Sequence, residues 1–200
     1  MPEVFLDGEN VDFQGPAPET ANAVWGVLEN YLASQGRLIA SFEVDEVSWV
    51  LGDEDSTYTR VVAKTESQAE KLASLAESVL KGWDRIDKTW TEIGTRSLSA
   101  DFIGLQKLAQ KGMSVSTEVV ELGQYLAAFG ENEATVWHSE LRGTLDALNA
   151  GLSHWMNCFE AKDVIGISDS AVYDVQGAFQ QFRESLGKIV EDLENRKDSR

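Results

Sequence analysis

In LSADFIGLQKLAQKGMSVSTEVVELGQYLAAFG, residues 98–130, the side chains Leu98, Phe102, Leu105, Leu108, Val115, Val119, Leu122, Leu126 and Phe129 lie on a three-four repeat that runs through Gly112. That spacing keeps one apolar stripe on one side of an α-helix. It predicts a single long helix ending at Gly130, with Gly112 to Thr117 as its weakest turn, because those residues are poor helix formers.

The same period extends on both sides, from Glu66 to about Glu194. Before it, Leu72, Leu75/Ala76, Val79, Trp83, Ile86, Trp90 and Ile93 predict one helix from Ser67 to Ile93, with Gly94 ending it. After it, Trp137, Leu141, Leu145, Leu148, Leu152, Trp155 and Phe159 predict a third helix starting near Asn132. Val172, Val175, Phe179, Phe182, Leu186, Ile189/Val190 and Leu193 predict a fourth, fraying from Asn195. Short joins between long helices force antiparallel neighbours, so residues 66–200 are expected to form an up-down-up-down four-helix bundle. The aromatics on these stripes read as bulk core.

Residues 1–65 read as a small acidic α+β module of order ββαββ. Val4–Leu6 and Val11–Phe13 are strand-like runs around Asp7-Gly8-Glu9-Asn10, a hairpin signal. Pro18 and Glu19 suit the first turn of a helix carrying Val24, Trp25, Leu28, Tyr31 and Leu32, with Gly36 past its end. Leu38, Ala40, Phe42 and Val44 alternate with Ile39, Ser41, Glu43 and Asp45, as on a strand buried on one face, and Tyr58–Ala63 reads as its return strand. Glu46 to Leu51 reads as a continuation of the first strand after a turn or bulge. The fold class expected is therefore α+β.

Charge is lopsided. Asp and Glu number 34 against 17 Lys and Arg, a formal net charge of −17. Residues 1–65 hold 12 acids and 3 bases, so charge density is highest on the small module. Such a field repels nucleic acid and anionic membranes and steers basic partners, and it also promotes solubility. Basic residues are scattered: Lys81, Arg85 and Lys88 are interleaved with Asp84 and Asp87, a salt-laced surface and not a phosphate track. No run of about 18 apolar residues is present to insert into a bilayer. With one cysteine and no basic-then-apolar opening segment, the chain is expected in the cytoplasm.

Catalytic patterns are missing from the sequence: no phosphate-binding loop, dinucleotide glycine pattern, nucleophile elbow or His-Glu-x-x-His occurs. Neither His138 nor His154 sits in a Glu-x-x-His step, which argues against a carboxylate-bridged di-metal centre. His154 and Cys158 share a helix face, but a closed zinc site needs two further ligands, and Ala147 and Gly151 on that face read as close helix packing. Asp53-Glu54-Asp55 lacks the alternation and central glycine of a calcium loop and reads as a solvated hairpin tip. No catalytic, cofactor or metal residue is assigned.

The function expected is a non-enzymatic protein–protein interaction or scaffold protein, binding a basic or mixed-charge protein and forming a homodimer through sheet edges or the bundle flank. Its interface candidates are Trp25, Trp49, Asp53, Glu54 and Asp55, since a thin module encloses two indoles poorly and aromatics concentrate in contact hot spots. One alternative is an enzyme or small-molecule binder with a site at the module junction or inside the bundle, where His154, Cys158 and Tyr173 merit inspection. Another is a chaperone or secretion adaptor holding a helix in a groove, which requires an apolar groove left exposed.

Overall fold

Two tight turns set the register of the N-terminal sheet. In the computed structural model, which describes residues 2–197, β1 (Glu3–Leu6) pairs with β2 (Glu9–Asn10) through a two-residue turn in which Asp7 and Gly8 both have positive φ. The return strand thus begins at Glu9, earlier than the expected Val11–Phe13, because a turn with two left-handed residues matches the twist of the flanking strands. The Asp7 carboxylate accepts from the Thr65 N–H (2.8 Å) and hydroxyl (2.6 Å). Burial raises its pKa, but the two Thr65 hydrogen bonds and the Arg37 charge outweigh that and hold it below its ordinary value.

Helix α1 (Ala21–Ala33) starts at Thr20, whose hydroxyl caps the Ala23 N–H, so Pro18 and Glu19 precede the helix and do not form its first turn. Gly36, at φ +65°, then turns the chain into β3 (Arg37–Val44). The expected alternation of β3 fails at Ala40. Its pairing with β5 (Arg60–Ser67) skips one residue between Ile39 and Ser41, and this bulge turns Leu38 and Ala40 outward while Ile39, Phe42 and Val44 face the core.

A second left-handed pair, Asp45 and Glu46, leads into β4 (Val47–Ser48), so the strand expected to carry on through Glu46–Leu51 is instead a short separate strand that folds back on β3. The order is ββαβββ, and the sheet runs β2-β1-β5-β3-β4 with β1 parallel to β5. The two non-glycine residues tolerate this backbone because the Asp45 carboxylate accepts from the Thr59 and Arg60 N–H groups (3.0 and 2.7 Å). Val4, Val24, Leu28, Phe42, Val61 and Ala63 are among the buried core of this unit.

By backbone contacts the chain divides into two compact units, Met1–Lys71 and Leu72–Arg200. Helix α2 (Gln68–Lys81) opens with a reciprocal cap: Ser67 Oγ accepts from the Glu70 N–H, and Glu70 Oε2 from the Ser67 N–H (3.1 and 2.7 Å). The single helix expected over 67–93 breaks at Gly82, whose N–H is shared between the Ser78 and Val79 carbonyls at 3.1 Å, and α3 (Trp83–Arg96) follows. On α2 the stripe buries Ala76 and leaves Leu75 partly exposed.

Helix α4 (Phe102–Asn132) does run unbroken through Gly112. A Cβ there would lie 2.7 Å from Ile93 Cδ1, so the glycine serves close approach of α3. Leu98, expected on its stripe, is exposed in the α3–α4 connection, and the Phe102 side chain lies outside what is described. Gly130 does not end α4; Trp137 returns across it, and α5 (His138–Glu160) starts beyond the expected Asn132. The last segment is helical throughout, as α6 (Val164–Asp169), a π-helical stretch Ser170–Val175 and α7 (Gln176–Lys197). The fraying expected from Asn195 is absent up to Lys197, and residues 198–200 lie outside those described.

Packing follows chain order. Helix α3 packs on α4, α4 on α5 and α5 on α7, while the π-helical stretch lies against both α3 and α5. Two glycines admit it. A Cβ on Gly94 would meet Val172 Cγ2 at 2.5 Å, and one on Gly151 would meet the Asp174 backbone at 3.2 Å. Ser168 Oγ also donates to the Gly94 carbonyl (2.5 Å). We expect Gly151→Val to cost about 1–3 kcal/mol, the usual scale of overpacking, because backbone cannot step aside as a side-chain tip can. Urea unfolding measures it, and an unchanged midpoint would remove the wide π turn from this contact.

The interior of this unit is aromatic. Trp83, Trp90, Trp155, Phe179 and Phe182 are almost wholly buried, with Trp90 edge-on to Trp155 at 5.1 Å. Outside, Glu92 takes hydrogen bonds from Lys111, across on α4, and from Arg96, and these hold its carboxyl below its ordinary pKa.

Candidate functional site

The connection from β4 to β5 is a pinned loop. At its start Trp49 is only 7 % exposed and packs against Trp25 and Phe42, with ring centroids 5.8 and 5.3 Å away. Its N–H donates to the Phe42 carbonyl (2.9 Å), which extends the β3–β4 ladder by one residue. Val50 and Asp53 then close on each other: the Val50 N–H donates to Asp53 Oδ2 (2.9 Å) and the Asp53 N–H to the Val50 carbonyl (3.0 Å). Gly52, at φ +107°, makes that turn.

The far end is tied to the start of α1. Asp55 Oδ1 accepts from the Asn22 N–H (3.1 Å) and the Ser56 carbonyl from the Ala21 N–H (3.0 Å), so an acid sits at the positive end of that helix. The Tyr58 hydroxyl donates to the Pro18 carbonyl (2.8 Å), and burial raises its pKa. Between these anchors Val50 and Leu51 stand 61 % and 64 % exposed beside Asp53, Glu54 and Asp55. Among the described residues, no Lys or Arg pairs with those three carboxylates.

The structure thus brings together Asp53, Glu54 and Asp55 as an exposed tip and puts Trp49 in the core beneath it. Trp49 is not a surface contact as it stands, and Trp25 is half-buried on the same aromatic cluster. The exposed apolar pair that sequence reasoning missed is Val50-Leu51. Its signal was two aliphatic residues running straight into an acidic turn, where burial on a strand would call for alternation.

In the helical unit, an open cavity of about 360 Å³ lies between the α2–α3 knee and α4. Ile86 and Leu122 form its buried floor, and Leu75 and Tyr125 stand 42 % and 64 % exposed on its walls. Glu118, Glu121 and Arg85 mark its rim, with Arg85 paired to Glu118.

His154, Cys158 and Tyr173 do not form a constellation. His154 Nδ1 meets Asp174 Oδ2 at 2.7 Å in an exposed pair, Cys158 is buried with its sulfur near Gly166, and Tyr173 points into solvent. Among the described residues no group of three or more His, Cys, Asp or Glu side chains is arranged to hold a metal ion, and no helix is long and apolar enough to cross a membrane. Comparisons with protein-family models, curated proteins and solved structures return no match to this chain.

Proposed function

We propose that the chain is a non-enzymatic protein–protein interaction or scaffold protein that docks a basic or mixed-charge protein on the tip formed by residues 50–55. The observation that carries this is Val50 and Leu51 held in water, beside three unpaired-by-cation carboxylates, on a loop fastened at both ends. An apolar contact rimmed by charge is the usual anatomy of a transient interface, and a pre-ordered loop loses little entropy on binding. The net charge of −17 steers a basic partner toward it.

Three further parts belong to the same proposal. Helices α3, α4, α5 and α6–α7 alternate in direction as a four-helix bundle. The chain works in the cytoplasm. It self-associates through the outer edge of β3, the side away from β5, where β4 covers only the far end of the strand and Arg37 to Ser41 face no strand among the described residues.

The test uses a tip neutralised without loss of its acceptors, Asp53→Asn, Glu54→Gln and Asp55→Asn, so that the Val50 and Asn22 N–H groups stay satisfied. Cross-linked capture from the native cell extract should fall about tenfold, the factor for ~1.4 kcal/mol, and wild-type capture should weaken with salt. The melting temperature should hold. Capture that is unchanged, at an unchanged melting temperature, would reject the tip as the interface.

A further inference from the structure

We infer that the cleft between the α2–α3 knee and α4 is a docking groove for one amphipathic helix of another protein, basic along the flank that meets Glu121. This surface belongs to the helical unit, and the inference shares with the tip only the premise that the chain binds proteins.

The cleft lies where α2 and α3 meet at Gly82, facing α4. Helix α3 packs closely on α4, while α2, beyond the break at Gly82, makes no comparable helix–helix contact among the described residues. The apolar stripe of α4 nevertheless continues along the vacated side through Leu122 to Tyr125, and α2 turns Leu75 toward the same space. Two large apolar side chains thus stand in water over a floor of Ile86 and Leu122, which is the surface a missing helix neighbour leaves.

Three features select the occupant. Both walls are helices whose backbone groups bond internally, so they offer a partner side chains and no free amide ladder. An extended peptide laid there would bury N–H and C=O groups without partners, whereas a helix arrives with its own satisfied. The volume, about 360 Å³, admits a few aliphatic side chains from one helix face, projected at i, i+3 or i+4 and i+7. The rim is acidic: Arg85, its one lining cation, is engaged by Glu118, and Glu121 has no ion-pair partner among the described residues. A Lys or Arg on the flank of the incoming helix would meet that carboxylate, at a site next to low-dielectric apolar surface.

The probe is a fluorescein-labelled synthetic helix with leucines on one face and lysines on its flanks, paired with a peptide of equal composition whose leucines share no face. Anisotropy titrations use the full chain. The facially ordered peptide should bind at least about tenfold tighter than the scrambled one, and Leu75→Glu or Glu121→Lys should each weaken it by about tenfold, as loss of a contact hot spot does. Both positions lie outside the core, and circular dichroism melts confirm that the variants fold. The tip-neutralised variant should bind the ordered peptide as the wild type does. Equal affinity for the two peptides, or indifference to Leu75→Glu and Glu121→Lys, overturns the groove and leaves the tip reading standing. Loss of peptide binding in the tip variant alone also overturns the groove and assigns the peptide to the tip. Light scattering that shows a dimer abolished by Leu75→Glu makes a second copy the occupant and overturns the assignment to a separate protein.

Discussion

Replacing Phe182 with aspartate is expected to unfold the helical unit. Phe182 is wholly buried, stacked near Trp83 with ring centroids 6.5 Å apart, and close to the position a Cβ on Gly123 would take. An aspartate there must either stay charged in an apolar interior or take up a proton at neutral pH. Either course costs several kcal/mol, roughly 5 at the scale of such substitutions, in addition to the lost ring. Since domains hold only about 5–15 kcal/mol in total, one such change consumes much of the margin. Far-UV circular dichroism and urea titration would show lost helicity or a midpoint shifted far down. A wild-type midpoint would mean that this side of α7 faces water.

Trp90→Ala is the second large effect. Its ring lies against Trp155 and Phe179 at 5.1 and 6.0 Å, between the α3 side of the unit and helices α5 and α7, so truncation leaves a cavity that three elements would have to close. The expected cost is about 3–5 kcal/mol. Trp90→Phe should cost distinctly less. The Trp90 indole N–H is buried with no acceptor among the described residues, and an unmet donor costs about 1–3 kcal/mol, so its removal offsets part of the lost contact area. Paired urea curves decide it: a Phe variant as damaged as the Ala variant would show that the indole N–H has a partner, and that ring volume is not the main term.

The long helices were legible because a three-four repeat has one physical solution, a buried stripe. Leu141, Leu145, Leu148, Leu152 and Trp155 are all buried as that spacing requires. What was not legible are the places where one residue decides direction. Gly82 and Gly112 both fall within an unbroken three-four apolar repeat, yet one breaks the helix and the other does not. The difference lies in a neighbour far along the chain: a Cβ on Gly112 would strike Ile93, whereas one on Gly82 would only touch the carbonyls of its own turn. The wide turn at Ser170–Val175 likewise depends on room made by Gly94 and Gly151, which no local pattern announces.

The candidate site divides in the same way. Asp53, Glu54 and Asp55 were readable as a tip because three acids in a row rarely bury. The direction of Trp49 was not, since it follows from the left-handed pair Asp45-Glu46, a conformation more typical of glycine or asparagine. Once that turn sends β4 back along β3, Trp49 faces inward and Val50-Leu51 outward. The groove was hidden for a related reason: Leu75 and Leu122 carry the same periodic signal, yet on α2 the buried face falls on Leu72, Ala73 and Ala76 and leaves Leu75 exposed, while Leu122 is buried.

Assigning function to the surface depends on the interior of residues 72–200 being one filled, cooperative core. Native-state amide hydrogen exchange addresses that directly, because protection against global opening is confined to elements that unfold together. The slowest amides should fall in α3, the middle of α4, α5 and α7, and should share one opening free energy equal to that from urea unfolding. Rapid exchange across Leu141–Trp155 or Phe179–Leu193, or separate opening energies for those two stretches, would contradict a common core and return the inside of the unit to consideration as a working site.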